Sequence, residues 1–182
     1  NLIGIEELNH KVESYLESMG TLEILLLTVV LAPLIEEFLF RYPLRYPFLI
    51  LIFMVSSIFA LVHTALELEL DFKSSVIVIL LILATSILYQ FKAVKLKWNQ
   101  TVISYFPVFF YWAVITFAYM HSYNFDLDAN QWYFVPILVM PQFILALLLG
   151  YVRMRKHFGY AVYIHGVNNL FPVLMWTCLS GQ

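Results

Sequence analysis

Charged residues and cysteines are scarce in this chain. Only 12% of its 182 residues are charged and 62% are hydrophobic, with a mean hydropathy of +0.83. A soluble domain is about half apolar and about a quarter charged, so the composition excludes an ordinary soluble protein and predicts an integral membrane protein. The single cysteine, Cys178, excludes an internal disulfide.

Signals of several other protein classes are also missing. The sequence has no strand alternation, no internal repeat, no low-complexity tract and no attached soluble domain. The N-terminal stretch lacks the basic n-region of a signal peptide. Because the sequence does not begin with Met, we expect a fragment or a processed product, with earlier transmembrane segments missing. These observations favour an all-α, polytopic transmembrane helix bundle.

Apolar segments follow one another through most of the chain. Residues 2–19 predict an amphipathic helix on the membrane surface, because Ile5, Leu8 and Val12 share a face that the acidic residues avoid. We therefore divide the chain into an amphipathic interfacial helix over 1–20 and a transmembrane core over 21–182. About six segments of the core approach the ~20 residues that span a bilayer. They lie at 21–41, 47–66, 74–91, 101–121, 132–151 and 159–179.

Basic residues concentrate in the connections after the first, third and fifth predicted spans. These connections hold eight of the ten Lys and Arg residues and no Asp or Glu. The opposite side is acidic, and only Lys11 and Lys73 are basic there. The positive-inside rule places basic loops in the cytoplasm, so we expect both ends of the sequence outside. The eight residues are Arg41, Arg45, Lys92, Lys95, Lys97, Arg153, Arg155 and Lys156.

Two adjacent carboxylates, Glu36 and Glu37, stand at the end of the first apolar segment. Ionised groups in or near hydrocarbon cost several kcal/mol unless they are paired. An intramembrane ionisable residue is therefore a functional-site hypothesis. Arg41 is the near partner, because it lies one helical turn after Glu37 on the same face. This pair can hold a neighbouring catalytic carboxylate in place.

Polar side chains of later spans complete a set that suits hydrolysis. The fourth span ends at His121, and the sixth carries His165 and Asn169 one helical turn apart. A carboxylate beside a neutral imidazole can take a proton from water, and a second His with an Asn amide can donate hydrogen bonds to an oxyanion. Gly166 would let a backbone or a substrate approach closely. No Ser or Cys lies in an obvious nucleophile setting.

Three motifs in these spans resemble a known family. The segment EEFLFR at 36–41 looks like the EExxxR motif of the CAAX prenyl protease and bacteriocin-processing (CPBP, or Abi) intramembrane proteases. The segment FAYMH at 117–121 matches their FxxxH motif, and HGVNN at 165–169 matches their HxxxN motif. EExxxR alone is moderately specific and FxxxH alone is weak. All three together, in the family's order, form a strong combination.

The resemblance implies an intramembrane endopeptidase that acts on a membrane-associated peptide or protein. Carried over residue by residue, Glu36 and His121 would activate the water, while His165 and Asn169 would form the oxyanion hole. The supporting residues would be Glu37, Arg41, Phe117 and Asn124. The expected surroundings are a lipid bilayer, in a bacterial inner (plasma) membrane, and no nucleic-acid partner is predicted.

The residues leave the need for a metal open. Glu36, His121 and His165 supply the oxygen and nitrogen donors that zinc accepts in an open catalytic site. The same three groups can equally work as acid, base and oxyanion donor. A divalent metal such as zinc is therefore a candidate cofactor, and the members of the resembled family have been described both with and without metal dependence.

A second FxxxH match, FALVH at 59–63, competes with the one at 117–121. The family's FxxxH usually comes in the span directly after EExxxR, which favours His63. The family also places one intervening span between its last two motifs, which only His121 satisfies, and Asn124 resembles the polar tail of that motif. We favour His121, keep His63 as the alternative, and interpret the hairpin of spans two and three as an insertion.

Other interpretations of the same residues stay open. Glu36 and Glu37 can form an interfacial pair neutralised by Arg41 and lipid headgroups. His165 with Asn169 can act as interhelical hydrogen-bond glue. Carboxylates and histidines at membrane depth also build the relays of ion-coupled transporters, although such folds usually contain internal repeats. A non-catalytic, peptide-binding immunity factor on the same fold is a further alternative.

Overall fold

The structure is a computed structural model that describes residues 19–66, 71–125, 127 and 129–180. Within these ranges it is all-α, as predicted, with no β-sheet, and seven of the α-helices have at least nine residues. The α-helices are α1 (Thr21–Leu25), α2 (Ala32–Phe40), α3 (Pro47–Ala65), α4 (Phe72–Gln90), α5 (Lys92–Ser104), α6 (Phe106–Met120), α7 (Val135–Leu138), α8 (Met140–Arg155) and α9 (Phe158–Ser180). Short 3-10 turns occupy Pro43–Arg45, His121–Asn124 and Ala129–Phe134.

The first helical segment changes its geometry before it reaches Glu36. α1 continues into a π-helix over Leu26–Leu31, which leads into α2. Pro33, near the start of α2, has no backbone N–H and cannot donate a helical hydrogen bond. At the junction the Ala32 N–H donates to the Leu27 carbonyl, five residues back, as in a π-helix. Such interruptions of the regular ladder are frequent at functional sites.

Three helical stretches are long and apolar enough to cross a membrane: Pro47–Thr64, Phe72–Gln90 and Gln131–Arg155. A fourth arises if the helices over Lys92–Ser104 and Phe106–Asn124 count as one span, bent by 76° at their junction. These stretches overlap the second to fifth predicted spans. Several long apolar helices indicate an integral membrane protein, in agreement with the composition.

The first and sixth predicted spans are helical but more polar. Every 18-residue window within 21–40 contains three carboxylates, those of Glu23, Glu36 and Glu37. α9 contains His165 and two asparagines, which lower its mean hydropathy. Among the described residues the candidate spans therefore number three or four, and a bundle of six spans stays a prediction.

The predicted connection after the third span is a helix in the structure, and the predicted N-terminal helix lies almost entirely outside the described residues. Lys92, Lys95 and Lys97 were expected in a loop, but they lie on α5, which follows α4 with only Phe91 between them. Lysine is a good helix former and no Gly or Pro interrupts this stretch, so the chain becomes helical again directly after Phe91, whose backbone is extended. The predicted amphipathic helix over 2–19 lies, except for Met19, outside the described residues.

The chain divides into two compact units. The first, here the N/C unit, comprises the described residues up to Phe38 together with those from Val114 onward. Its core includes a cluster of Ala118, Val135 and Val139. This unit contains α1, the π-helix, most of α2, the end of α6, and all of α7, α8 and α9.

The second, here the middle unit, runs from Leu39 to Ala113. Its core cluster consists of Ile50, Val102 and Phe109, which come from α3, α5 and α6. Trp98 on α5 donates its indole N–H to the Pro47 carbonyl at 2.7 Å and packs edge-on against the Phe109 ring. This indole therefore joins α5 to the first turn of α3.

Candidate active site

Glu36 lies opposite two imidazole rings within the N/C unit. α2 carries Glu36, His121 begins the 3-10 turn after α6, and α9 carries His165. Glu36 Oε2 is 3.9 Å from His121 Nε2 and 3.6 Å from His165 Nε2. Oε2 is buried and has no hydrogen-bond partner among the described residues. Both separations exceed a direct hydrogen bond and suit groups that share a water molecule.

The His121 ring is oriented by its own helix. Its Nδ1 lies 2.8 Å from the Phe117 carbonyl oxygen, one turn earlier. A carbonyl only accepts hydrogen bonds, so Nδ1 is the N–H donor, and in the neutral ring Nε2 keeps the lone pair. The side chain is 20% exposed. His121 therefore presents an acceptor nitrogen towards Glu36.

The His165 ring is oriented by the second carboxylate. Its Nδ1 donates to Glu37 Oε1 at 2.9 Å, and the two side chains are 2% and 0% exposed. A carboxylate beside Nδ1 fixes the ring and its tautomer and stabilises the imidazolium that forms when the ring takes up a proton. The structure thus pairs Glu37 with His165, a contact that the sequence did not predict.

Phe117 braces both imidazoles. Its ring is fully buried. The ring centroid lies 4.5 Å from that of His121 and 5.9 Å from that of His165, where the contact is T-shaped. The Phe117 carbonyl also accepts the hydrogen bond from His121 Nδ1. Phe117 therefore positions the imidazoles through both its backbone and its side chain. This gives a physical reason for a Phe four residues before the His.

Asn169 is held by the π-helix. Its Nδ2 donates to the Thr28 carbonyl at 2.9 Å. That carbonyl lacks the usual helical donor, because the Ala32 N–H turns to Leu27 and the next residue, Pro33, has no N–H. Asn169 therefore satisfies a backbone acceptor that the helix leaves open. An Asn amide has a second N–H, which this bond does not use.

Gly166 allows α9 to approach the π-helix at van der Waals distance. A Cβ at this position would stand 2.6 Å from the Val29 carbonyl oxygen, closer than a carbon and an oxygen can pack. The prediction that Gly166 permits a close backbone approach is confirmed, and the approaching backbone is that of the π-helix. This contact sets the distance between α9, which carries His165 and Asn169, and the π-helix.

Two predicted residues belong to the middle unit. Arg41 is 2% exposed, and its guanidinium lies over the Phe40 ring at 5.9 Å. His63 is 6% exposed, packs against the Phe59 ring, and its Nε2 has no hydrogen-bond partner within the described ranges. The supporting role of Arg41 and the alternative role of His63 stay predictions.

Asn124, the last supporting residue, ends the 3-10 turn that His121 begins. Its role also stays a prediction. The structure therefore brings together Glu36, His121 and His165 around one carboxylate oxygen, with Asn169 one turn beyond His165 on α9.

The sequence missed two contacts of this site. The bond from Asn169 to Thr28 has a local signal, because Pro33 removes the N–H that would normally hold a nearby carbonyl. The bond from His165 to Glu37 joins residues 128 positions apart and has no local signal at all.

Glu36, His121 and His165 have the donor types of a zinc site but not its geometry. In the part of the chain that the structure describes, no group of three or more His, Cys, Asp or Glu residues has the geometry to hold a metal ion. A tetrahedral zinc with ligands at about 2.0–2.2 Å holds its donor atoms about 3.4 Å apart, whereas Glu36 Oε2 is 3.6 and 3.9 Å from the two imidazole nitrogens. The donor types suit zinc, but their spacing does not form a ready zinc site.

The chain matches no protein-family model, no curated protein and no solved structure. The resemblance to the CPBP proteases therefore rests on the three motifs and on the residues that carry them.

Proposed function

We propose that this protein is an intramembrane endopeptidase that uses Glu36 and His121 to activate a water molecule. One observation carries the proposal: Glu36 Oε2 faces the Nε2 atoms of both His121 and His165, and each ring is fixed through its Nδ1. A carboxylate and two oriented imidazoles around one point are what general acid–base hydrolysis requires.

The attacking water would lie beside the Glu36–His121–His165 group. Nε2 of neutral His121 accepts one hydrogen bond from this water, and Glu36 takes its other proton as the oxygen attacks the scissile carbonyl carbon. Glu36 then gives that proton to the leaving amide nitrogen, and the C–N bond breaks. The products are a carboxylic acid and an amine, and Glu36 returns to its ionised form.

The oxyanion of the tetrahedral intermediate needs hydrogen-bond donors. His165 supplies one in its protonated state, because Glu37 occupies Nδ1 and leaves the Nε2 proton directed into the site. Asn169 supplies the second through the N–H that does not bond Thr28. Donors fixed in this way contribute about 10²–10³-fold each to catalysis.

The membrane setting defines the substrate class. Glu36 follows an apolar segment in which Leu34 and Ile35 are exposed on the surface of the protein, as lipid-facing residues are. We propose that all six predicted segments, including α1–α2 and α9, lie in the bilayer, with the basic connections in the cytoplasm of a bacterial inner membrane. The substrate is then a membrane-associated peptide or protein. The CPBP-like motifs support the same reaction, and the donor spacing favours its metal-free form.

The proposal is tested by cleavage in proteoliposomes. We expect new peptide termini in a pool of reconstituted membrane peptides, and a loss of about 10²–10⁴-fold in Glu36→Gln. Glu23→Gln is the matched control, because Glu23 is an exposed carboxylate on α1 of the same unit. Undiminished cleavage by folded Glu36→Gln would end the peptidase proposal.

A proton-coupled transporter is the second candidate. The buried Glu36 Oε2 beside two histidines favours it, because carboxylates and histidines at membrane depth also build ion relays. The same proteoliposomes discriminate the two functions. Proton-driven solute flux that is lost in Glu36→Gln, without any peptide cleavage by the wild type, would favour transport.

A further inference from the structure

The middle unit contains a cavity where α3 begins and α4 ends. Its volume is about 350 Å³, and its lining consists of Tyr46, Pro47, Phe48, Tyr89, Gln90 and Lys95. None of these residues belongs to the candidate active site. The cavity is therefore a separate feature that the proposed reaction does not use.

The ends of two candidate spans fix the depth of this cavity in the membrane. One span begins at Pro47 and the other ends at Gln90, and both residues line the cavity. The ends of spans lie at the boundary between hydrocarbon and headgroups. Exposed aromatic side chains around it, those of Tyr46 and Phe91, suit the same boundary.

The charge of this region is entirely positive. Lys95 is the charged residue of the lining, and its Nζ lies 5.7 Å above the centre of the Tyr89 ring. Lys92 and Lys97 are exposed on the same helix. The sequence over 41–50 and 88–105, from which all six lining residues come, contains no Asp or Glu. An anion that enters the cavity would therefore meet a lysine and no competing carboxylate.

The lining is held in place by side-chain contacts. The rings of Phe48 and Tyr89 pack at 4.9 Å, and the Tyr89 hydroxyl donates to Asn99 Oδ1 at 2.9 Å. Trp98, three residues after Lys95, donates a hydrogen bond from its indole N–H to the Pro47 carbonyl. These contacts join α3, α4 and α5 around the cavity. They fix the position of α5, the helix that carries Lys95.

From the cavity, its depth and its charge we infer that this site binds the phosphate group of an anionic glycerophospholipid. Lys95 contacts the phosphate, and the aromatic lining receives the glycerol region of the lipid. Basic pockets between transmembrane helices on the cytoplasmic side recognise anionic headgroups in this way. The span ends favour a membrane lipid over free phosphate, because acyl chains attached to the headgroup reach directly into the neighbouring hydrocarbon.

The test is native mass spectrometry of the full chain released from nanodiscs that contain phosphatidylglycerol and phosphatidylcholine in equal amounts. We expect wild type to retain one phosphatidylglycerol in preference to phosphatidylcholine, and Lys95→Gln to lose about fivefold of this retention. Lys95→Arg, which keeps the positive charge, should retain phosphatidylglycerol as wild type does. Lys92→Gln and Lys97→Gln are matched controls, since they remove the same charge from the same helix without touching the cavity, and each should change retention by less than about twofold.

Three results would overturn the inference. Equal losses in all three Lys→Gln variants would show diffuse attraction to the surface in place of a site. Equal retention of both lipids by wild type would show no recognition of the headgroup. Binding of inorganic phosphate in neutral detergent that depends on Lys95, without any preference among lipids, would assign the site to free phosphate.

Discussion

Glu37 and His165 form a buried hydrogen bond of 2.9 Å across 128 positions of sequence. Glu36, the neighbour of Glu37, approaches the other nitrogen of the same ring at 3.6 Å. Two adjacent carboxylates therefore face the two ring nitrogens of one imidazole, Glu37 at Nδ1 and Glu36 at Nε2. In the proposed mechanism the two glutamates have different roles: Glu37 orients the His165 ring, and Glu36 acts on the attacking water.

We expect Glu37→Gln to lower kcat by about 10²–10⁴-fold. Gln is similar in shape but has no negative charge to stabilise the imidazolium of His165. It also replaces a charge-assisted hydrogen bond, which is worth about 1.5–3 kcal/mol. The measurement is the pH dependence of kcat together with the unfolding midpoint. A kcat that stays at the wild-type value would contradict the assigned role of Glu37, and Glu23→Gln again controls for the chemistry of the substitution.

Gly166→Ala should disturb the site without removing any functional group. The new methyl group would meet the Val29 carbonyl at 2.6 Å, so α9 and the π-helix must separate. We expect a loss of about 1–3 kcal/mol in the free energy of unfolding and a fall in kcat, because α9 carries both His165 and Asn169. The measurements are thermal unfolding in detergent and cleavage in proteoliposomes.

Gly159→Ala is the matched control for that variant. It lies on the same helix, and a Cβ there has no neighbour within 4 Å. We expect stability that is unchanged or raised by up to about 1 kcal/mol, since Ala is the better helix former, and unchanged cleavage. Equal behaviour of the two variants would contradict the close contact of Gly166 with the π-helix.

Removal of divalent metal should leave the activity intact. The spacing of Glu36 from the two imidazoles is wider than a zinc site requires. We therefore expect the same kcat before and after dialysis against EDTA, and no bound zinc by elemental analysis of active protein. Loss of activity with EDTA and recovery with one equivalent of zinc would show that the metal-free form of the mechanism is wrong.

The start of α4 supplies a test that depends on pH. The Ser74 N–H donates to Asp71 Oδ1 at 2.8 Å, and this bond holds the pKa of Asp71 below its ordinary value of 3.8. A carboxyl with a lowered pKa adds stability above its unfolded pKa and loses that stability as the pH falls through the folded value. The unfolding midpoint of wild type should therefore exceed that of Asp71→Ala above about pH 5, and the difference should shrink below about pH 4. A difference that does not vary with pH would contradict this cap.

The sequence predicted the helical class, which the structure confirms, because long apolar stretches are a strong local signal. Apolar stretches such as 47–66 and 74–91 are long, and their helices lie where expected. Glu36, His121 and His165 stood out because polar side chains are rare in such stretches. Their convergence within the N/C unit is consistent with the chosen motif at 117–121.

The remaining features depend on contacts that no local pattern encodes. The π-helix over Leu26–Leu31 lies just before Pro33, which lacks a backbone N–H, and it contains Val29, against which Gly166 of α9 packs. The hydrogen bond between His165 and Glu37 joins residues 128 positions apart, which no local pattern encodes. The predicted pairing of Glu37 with Arg41, one turn away, stays a prediction. The predicted connection at 92–100 is helical, because lysines are compatible with an interfacial helix.

The most direct test of the account is a cleavage reaction in water enriched in ¹⁸O. Wild-type protein is incubated in proteoliposomes with membrane peptides, and mass spectrometry identifies each new C-terminus. If Glu36 and His121 activate water, every new C-terminal carboxylate should carry one ¹⁸O atom, and these products should be absent with Glu36→Gln and present with Glu23→Gln. If wild type yields no labelled terminus, or if Glu36→Gln yields as many as wild type, the assignment of Glu36 as the base of a peptidase is contradicted.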